Sequence, residues 1–247
     1  MMIYDEIYIL SGGKTGSKTL LTSFMRLVER LSLSTEVIHL HQMRHNPRLF
    51  RTIRERQKRI LIVNSYRLPF SRHVSSLFQN IRLHVPQLGG DRHDSPLENT
   101  PENIKILRNY MDQCMNEGNF FASNHSFLED LPFPLPPFDK TAKFTFCPRA
   151  ARAFPAVDLL MLRFDQIDRW EEQIRTVFPS FVLIPHNVTS TKHFAELYHT
   201  FKSTYSFPSF AASMLWTMER PRLQYYYEEE EIEEIWIEHV AKKNQVF

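Results

Sequence analysis

Three of the six glycines in the chain, Gly12, Gly13 and Gly16, fall within five residues, and Lys14, Thr15, Ser17, Lys18 and Thr19 stand among and after them. Glycine is needed where the backbone takes a positive φ or lets a ligand approach closely. Its scarcity elsewhere makes the cluster a deliberate loop. Two lysines and three hydroxyl side chains give that loop donors for an anion. A turn capped by Ser17 is the plainer reading, and the density of donors argues against it. The segment Tyr66-Arg-Leu-Pro-Phe-Ser-Arg-His-Val-Ser75, by itself a basic helix start, holds Arg67, Arg72 and Ser75. The chemistry that the glycine loop implies is binding of an anion.

The elements around these residues must bring them together. Ile7-Tyr8-Ile9-Leu10, rich in β-formers, precedes the glycine loop. Leu20, Leu21, Phe24, Leu27, Val28 and Leu31 follow it at helical spacing. Strand, glycine loop, helix is an arrangement that gathers the unbonded N–H groups of a helix N-terminus, and its dipole, around an anion. The segment at 59–65 reads as a buried strand ending just before Arg67. Val74, Leu77, Phe78 and Ile81 form the stripe of a helix begun near Pro69 or Ser71.

Two phosphate-loop patterns fit residues 11–19. As a Walker A loop, G-x-x-x-x-G-K-[ST] starting at Gly12, Lys18 and Thr19 match and Ser17 stands where the second glycine belongs. Lys14-Thr15-Gly16-Ser17 also resembles the K-x-G-[ST] core of the 5′-phosphosulfate loop of sulfotransferases, with Lys18 as the departure. The second segment separates the two. Arg67, Pro69, Arg72 and Ser75 resemble the sulfotransferase 3′-phosphate motif R-x-P-x-x-R-x-x-S, with Leu68 and Ser71 departing from its commoner acidic residues. A Walker B strand ending in aspartate is missing, since one strand ends Val63-Asn64-Ser65 and Leu159-Leu160-Met161-Leu162 runs into Arg163.

Leu159 to Ile167 looks like the sulfotransferase strand and turn LLRxEDL, with Asp165 and Gln166 in the acidic places. Thr191 to Phe194, Tyr198 to Lys202, and Tyr225 to Ile232 with Trp236 are similar to the C-terminal half of the sulfotransferase-like capsular polysaccharide synthesis family. The resemblance covers residue 6 to about 240. It implies an α/β fold, three-layer α/β/α with a central parallel sheet, of the P-loop-like sulfotransferase type. It further implies transfer of a sulfuryl group from 3′-phosphoadenosine 5′-phosphosulfate (PAPS) to a hydroxyl of a glycan, with no metal. Residues 14–19 (Lys14, Thr15, Gly16, Ser17, Lys18, Thr19) would hold the 5′ end of the donor, and Arg67 and Ser75 its 3′-phosphate. Lys14 would bind the bridging or leaving phosphate oxygen, because sulfuryl transfer, like phosphoryl transfer, needs positioning and charge stabilisation. The acceptor hydroxyl needs a general base, and histidine titrates in the right range. Glu36-Val37-Ile38-His39-Leu40-His41 reads as a strand ending in histidine at the same sheet edge. His41 is the first choice, His39 on the same face the reserve, and His125 and Glu129 are rivals from a later segment. An ATP- and Mg²⁺-dependent P-loop kinase or NTPase, and a catalytically inactive scaffold homologue in surface-polysaccharide assembly, are the alternatives.

Strands are expected at about 6–10, 36–40, 59–65, 157–163 and 181–185. Helices are expected at about 18–31, 47–57, 70–83, 101–117, 166–178, 190–204, 208–217 and 228–242. Alternation of the two predicts a parallel sheet covered on both faces, with ligands at the carboxyl ends of its strands. Residues 85–100 read as a surface loop and 131–148, with five prolines, as an irregular insertion. A helical part follows from about 189, and the absence of a repeat or low-complexity linker makes residues 1–247 one domain.

Composition bounds the rest. At 247 residues with 43% apolar content, the chain can bury a core and is not a disordered polypeptide. No apolar stretch approaches the roughly 18–20 residues of a membrane span. Asp5 and Glu6 interrupt the first apolar run, which argues against a signal peptide and for a cytoplasmic chain. Cys114 and Cys147 form no metal-binding spacing and read as reduced, chemically idle thiols. Six of the 28 acids lie in Glu228–Glu231, Glu233 and Glu234, a solvated helix start, which leaves the remainder basic. Its scattered Lys and Arg suit an anionic small ligand rather than nucleic acid. Arg163 reads as half of an ion pair with Asp165 or a neighbour, and Trp216 with Tyr225–Tyr227 as packing.

Overall fold

The computed structural model describes residues 3–10, 15–40, 47–88, 97–118, 131–150, 154–186 and 194–239. In chain order its elements are β1 (Glu6–Leu10), α1 (Ser17–Arg30), β2 (Glu36–Leu40), α2 (Pro47–Glu55), β3 (Ile60–Tyr66), α3 (Pro69–Leu77), α4 (Ile81–His84), α5 (Pro101–Asn116), β4 (Phe144–Cys147), β5 (Val157–Arg163), α6 (Trp170–Arg175), α7 (Ala195–Thr204), α8 (Ser209–Tyr226) and α9 (Glu229–His239). They fall into two compact units. Residues 1–67 and 124–186 form the first, 68–123 and 187–247 the second.

The first unit is an α/β structure around a five-stranded sheet of order β2-β1-β3-β5-β4 among the described residues. β1 pairs in parallel with β2 and β3, and β3 in parallel with β5. Every residue of β1, β3 and β5 is buried, the mark of parallel strands covered on both faces. On one face Ile7, Ile9, Leu61, Val63, Leu160 and Leu162 pack against Leu20, Phe24 and Leu27 of α1 and Trp170 and Ile174 of α6. α1 thus lays down the stripe its spacing predicts. On the other face the buried Glu6 carboxylate accepts hydrogen bonds from Arg48 of α2 at 2.7 Å, from Lys58 at 2.6 Å and from the Tyr8 hydroxyl. Burial alone would raise the Glu6 carboxyl; the bonds from Lys58, Tyr8 and Arg48 outweigh it and bring the group down to about 2.

The sheet departs from the expected all-parallel form at one edge. β4 lies inside the stretch read as an irregular insertion and runs antiparallel to β5, with Phe144 opposite Leu162 and Cys147 opposite Leu159. Four residues beside prolines carry too little local signal for a strand, and pairing with β5 supplies what the local sequence lacks. The strand expected at 181–185 does not form. Side chains satisfy its amides instead: Leu183 N–H donates to Glu171 Oε2, Ile184 N–H to Ser23 Oγ and His186 N–H to Thr19 Oγ1. The helix expected at 166–178 narrows to α6, preceded by a 3₁₀ turn over Phe164–Arg169.

The second unit is helical among its described residues. Phe78 packs its ring on Phe194, Tyr198 and Phe201, and Phe70 on Phe207 and His239. α8 runs beyond the expected end at 217, through Pro221 to Tyr226. Of the expected loop 85–100, residues 86–88 form a 3₁₀ turn and 89–96 lie outside the described residues. No helix among the described residues is long and apolar enough to cross a membrane.

His73 on α3 is fully buried. Burial, and then the positive charge of Arg72, pushes its imidazole down to about 3. In the unfolded chain it protonates near 6.5, so below that pH the unfolded state holds the extra proton and the native state does not. Stability is therefore lost as pH falls from about 6.5 toward 3, by about 1.4 kcal/mol per pH unit for this one group. Urea midpoints between about pH 7 and 5 are expected to fall in the wild type, with a shallower slope in His73→Leu; equal slopes would contradict the assignment.

Candidate functional site

The site is built where β1 and β3 lie side by side. From β1 the chain passes to β2 on one side, and from β3 it passes to β4 and β5 on the other, so the carboxyl ends of β1 and β3 flank the point at which the strand order reverses direction. Open α/β sheets bind ligands in the crevice formed there. β1 ends at this edge at Leu10, and Arg67 follows the last residue of β3.

Two residues of β3 bind the backbone of Leu10 and Thr15. Asn64 Nδ2 donates to the carbonyl of Leu10 at 2.9 Å, and Ser65 Oγ donates to the carbonyl of Thr15 at 2.6 Å. Gly16 is the N-cap of α1 with φ +80°, in the left-handed region that glycine tolerates and other residues do not. Space makes the same demand. A Cβ at Gly16 would lie 2.7 Å from Trp170 Cη2 and 3.2 Å from Phe164 Cε2. Trp170 is held in turn by its Nε1–H, which donates to the carbonyl of Arg163 at 2.8 Å. A glycine cap also offers no side-chain acceptor to the first-turn amides of α1, and that turn holds no acidic residue. The amide dipoles there favour an anion.

Arg67 is only 8% exposed. Its guanidinium carbon sits 4.2 Å from the centroid of the Phe164 ring, within the range of a cation–π contact. Phe164 meets Trp170 edge to face, 6.0 Å between centroids. The turn after β5 thus touches both Gly16 and Arg67.

The other expected site residues are placed as follows. Thr15 and Ser17 are buried, Ser17 as the first residue of α1, while Lys18 on the same turn is exposed. Thr19 points into the protein, where its hydroxyl accepts the His186 N–H at 3.2 Å. His39 is half-buried, opposite Ile9 in the sheet. Lys14, His41, His125 and Glu129 lie outside the described residues, as do Gly12 and Gly13. Ser75, half-buried on α3, and Arg72 belong to the second unit and Arg67 to the first. Arg72 is buried with its Nη2 3.9 Å from Glu219 Oε1. Arg163 forms the ion pair read from the sequence, two-pronged onto Asp165 at 3.1 and 2.6 Å. Cys114 and Cys147 are free thiols.

Sequence reasoning did not pick out Phe164 or Trp170. The usable signal is an aromatic residue directly after a strand that proves to neighbour the Arg67 strand, and strand order is not written in a single sequence. No family model matches the chain, and no curated protein matches it.

Proposed function

We propose that the protein transfers a sulfuryl group from PAPS to a hydroxyl acceptor, with a glycan as the acceptor class that the family resemblance suggests. The observation that carries this reading is the pairing at one crevice of a glycine-capped helix N-terminus with Arg67. The first turn of α1 offers backbone amides to the 5′-phosphosulfate, with Ser17 at their head and Lys14 and Lys18 contributing charge. Arg67 takes the 3′-phosphate through charge-assisted bonds. Thr19 contributes its backbone rather than its hydroxyl, which is engaged by His186.

Protein donors fixed before the reaction stabilise charge that moves onto the leaving phosphate without reorganising at that moment. In this reading Lys14 meets that oxygen and His41 accepts the proton of the attacking hydroxyl, with His39, His125 and Glu129 as the other bases to test. The same engaged Thr19 hydroxyl speaks against the kinase reading, which assigns it to Mg²⁺. Asp158, the one acid of β5, sits at the amino end of that strand and binds Tyr4 and Arg59.

A thermal melt tests the reading. Adenosine 3′,5′-bisphosphate at about 100 times its dissociation constant is expected to add about 2.7 kcal/mol of stability. Arg67→Ala and Lys14→Ala are expected to abolish most of that gain. Stabilisation by ATP with Mg²⁺ and none by the bisphosphate would replace the proposal with the kinase reading. No shift with either ligand would favour the inactive scaffold.

A further inference from the structure

We infer that Phe164 is a positioning residue for the anion site, its ring fixing where the Arg67 guanidinium stands relative to the glycine-capped turn of α1. The inference rests on the donor-binding reading for the identity of the ligand, and on the geometry for the role of the ring. Phe164 is the residue that meets both halves: its centroid is 4.2 Å from the Arg67 guanidinium carbon, and its Cε2 lies where a Cβ on Gly16 would be 3.2 Å away. Its own place is set from behind by Trp170, whose indole is tied to the carbonyl of Arg163.

A guanidinium stacked on a ring is held through its flat face, while its N–H donors lie in its plane and point outward. Such a contact sets the direction of the donors without consuming them. A long arginine side chain has many rotamers, and each contact that narrows them before the ligand arrives lowers the cost of binding. The ring therefore raises affinity by preorganisation. Because it also abuts Gly16, it sets the separation between the Arg67 anion and the anion on the α1 turn. The consequence is a selectivity: the site favours a nucleotide phosphorylated at both 3′ and 5′ positions over one phosphorylated at 5′ alone.

The test replaces Phe164 by phenylalanine analogues carrying one, two and three ring fluorines, which drain the negative ring face and leave the shape nearly unchanged. Affinities are measured for adenosine 3′,5′-bisphosphate, adenosine 5′-monophosphate and inorganic sulfate. Bisphosphate affinity is expected to fall stepwise, to about tenfold at three fluorines, with 5′-monophosphate affinity constant. Phe164→Tyr should retain affinity and Phe164→Leu should lose about tenfold. In the unliganded protein the Arg67 Nε–H resonance is expected upfield from ring current, moving back in Phe164→Leu, a signature that loss of packing at another place would not produce. A bisphosphate affinity indifferent to fluorination overturns the positioning role and leaves the donor reading standing. If the wild type ignores the bisphosphate but binds sulfate with the graded fluorine response, the positioning role stands and the donor reading fails. Binding of no anion overturns both.

Discussion

Glu219→Ala is expected to remove about 3–5 kcal/mol of stability, a large share of the roughly 5–15 kcal/mol that a folded domain has. Glu219 is 1% exposed within α8. Arg222 Nη1 lies 2.9 Å from its Oε1 and Arg72 Nη2 3.9 Å from the same atom, so one buried carboxylate stands between two guanidinium groups from α8 and α3. Removing it takes away the carboxylate that the two guanidinium groups share and leaves two like charges close together, and breaking a buried pair by removing one partner is strongly destabilising. Glu219→Gln keeps an acceptor for Arg222 while losing the charge, so it is expected to cost less than alanine. At a urea slope of about 2 kcal/mol per molar, the alanine variant should shift the midpoint down by about 1.5–2.5 M with an unchanged slope. A shift under about 0.5 M would show that the arginines reach solvent once the acid is gone.

Gly16→Ala is expected to destabilise by about 2–5 kcal/mol and to weaken anion binding by more than the stability loss alone explains. Two costs add. An alanine held at φ +80° pays roughly 1–2 kcal/mol for the left-handed backbone. Its Cβ at 2.7 Å from Trp170 Cη2 must move a fully buried indole, an overpacking cost of about 1–3 kcal/mol. Relief by rotating Gly16 would tilt the first-turn amides away from the crevice, which is why binding suffers as well. A double-mutant cycle with Trp170→Leu separates the terms. Alanine in the Trp170→Leu background is expected to cost about 1 kcal/mol or more below its cost in wild type, since the clash with Trp170 is gone while the backbone strain and the 3.2 Å approach to Phe164 Cε2 remain. Additive costs would assign the effect to φ and the Phe164 contact.

These two positions differ in how far the sequence exposes them. Gly16 is legible at once, because three of six glycines gather before a helical stripe and beside lysines. Glycine content and period-2 and period-3.6 patterns are local quantities, and β1, α1, β2 and β5 follow from them to within a residue or so. Glu219 is not legible. It sits in a polar stretch, Glu219-Arg-Pro-Arg222, just beyond the expected helix end at 217. Only folding brings Arg72 from about 150 positions earlier to its side. The same holds for the segment at 181–186, whose apolar content imitates a strand. Its amides go to Ser23, Thr19 and Glu171, side chains that sequence alone gives no reason to associate with it.

By itself, then, the sequence determined the local parts: an α/β chain, a strand leading through a glycine loop into a helix, and a second strand delivering an arginine. Tertiary structure decided how those parts meet. Parallel strands can be ordered in many ways with the same local patterns, because each buried strand is apolar on both faces and carries no label for its neighbour. The order β2-β1-β3-β5-β4 is what sets the Arg67 strand beside β1 and the Phe164 turn beside Arg67. β4 also exists only through pairing, since four residues beside prolines gain strand hydrogen bonds from β5 and from nothing in their own sequence. Phe164 and Trp170, ordinary aromatics in the chain, acquire their place against Gly16 and Arg67 from contacts between residues far apart in sequence. Such contacts are a property of the packed core, and local physics does not encode them.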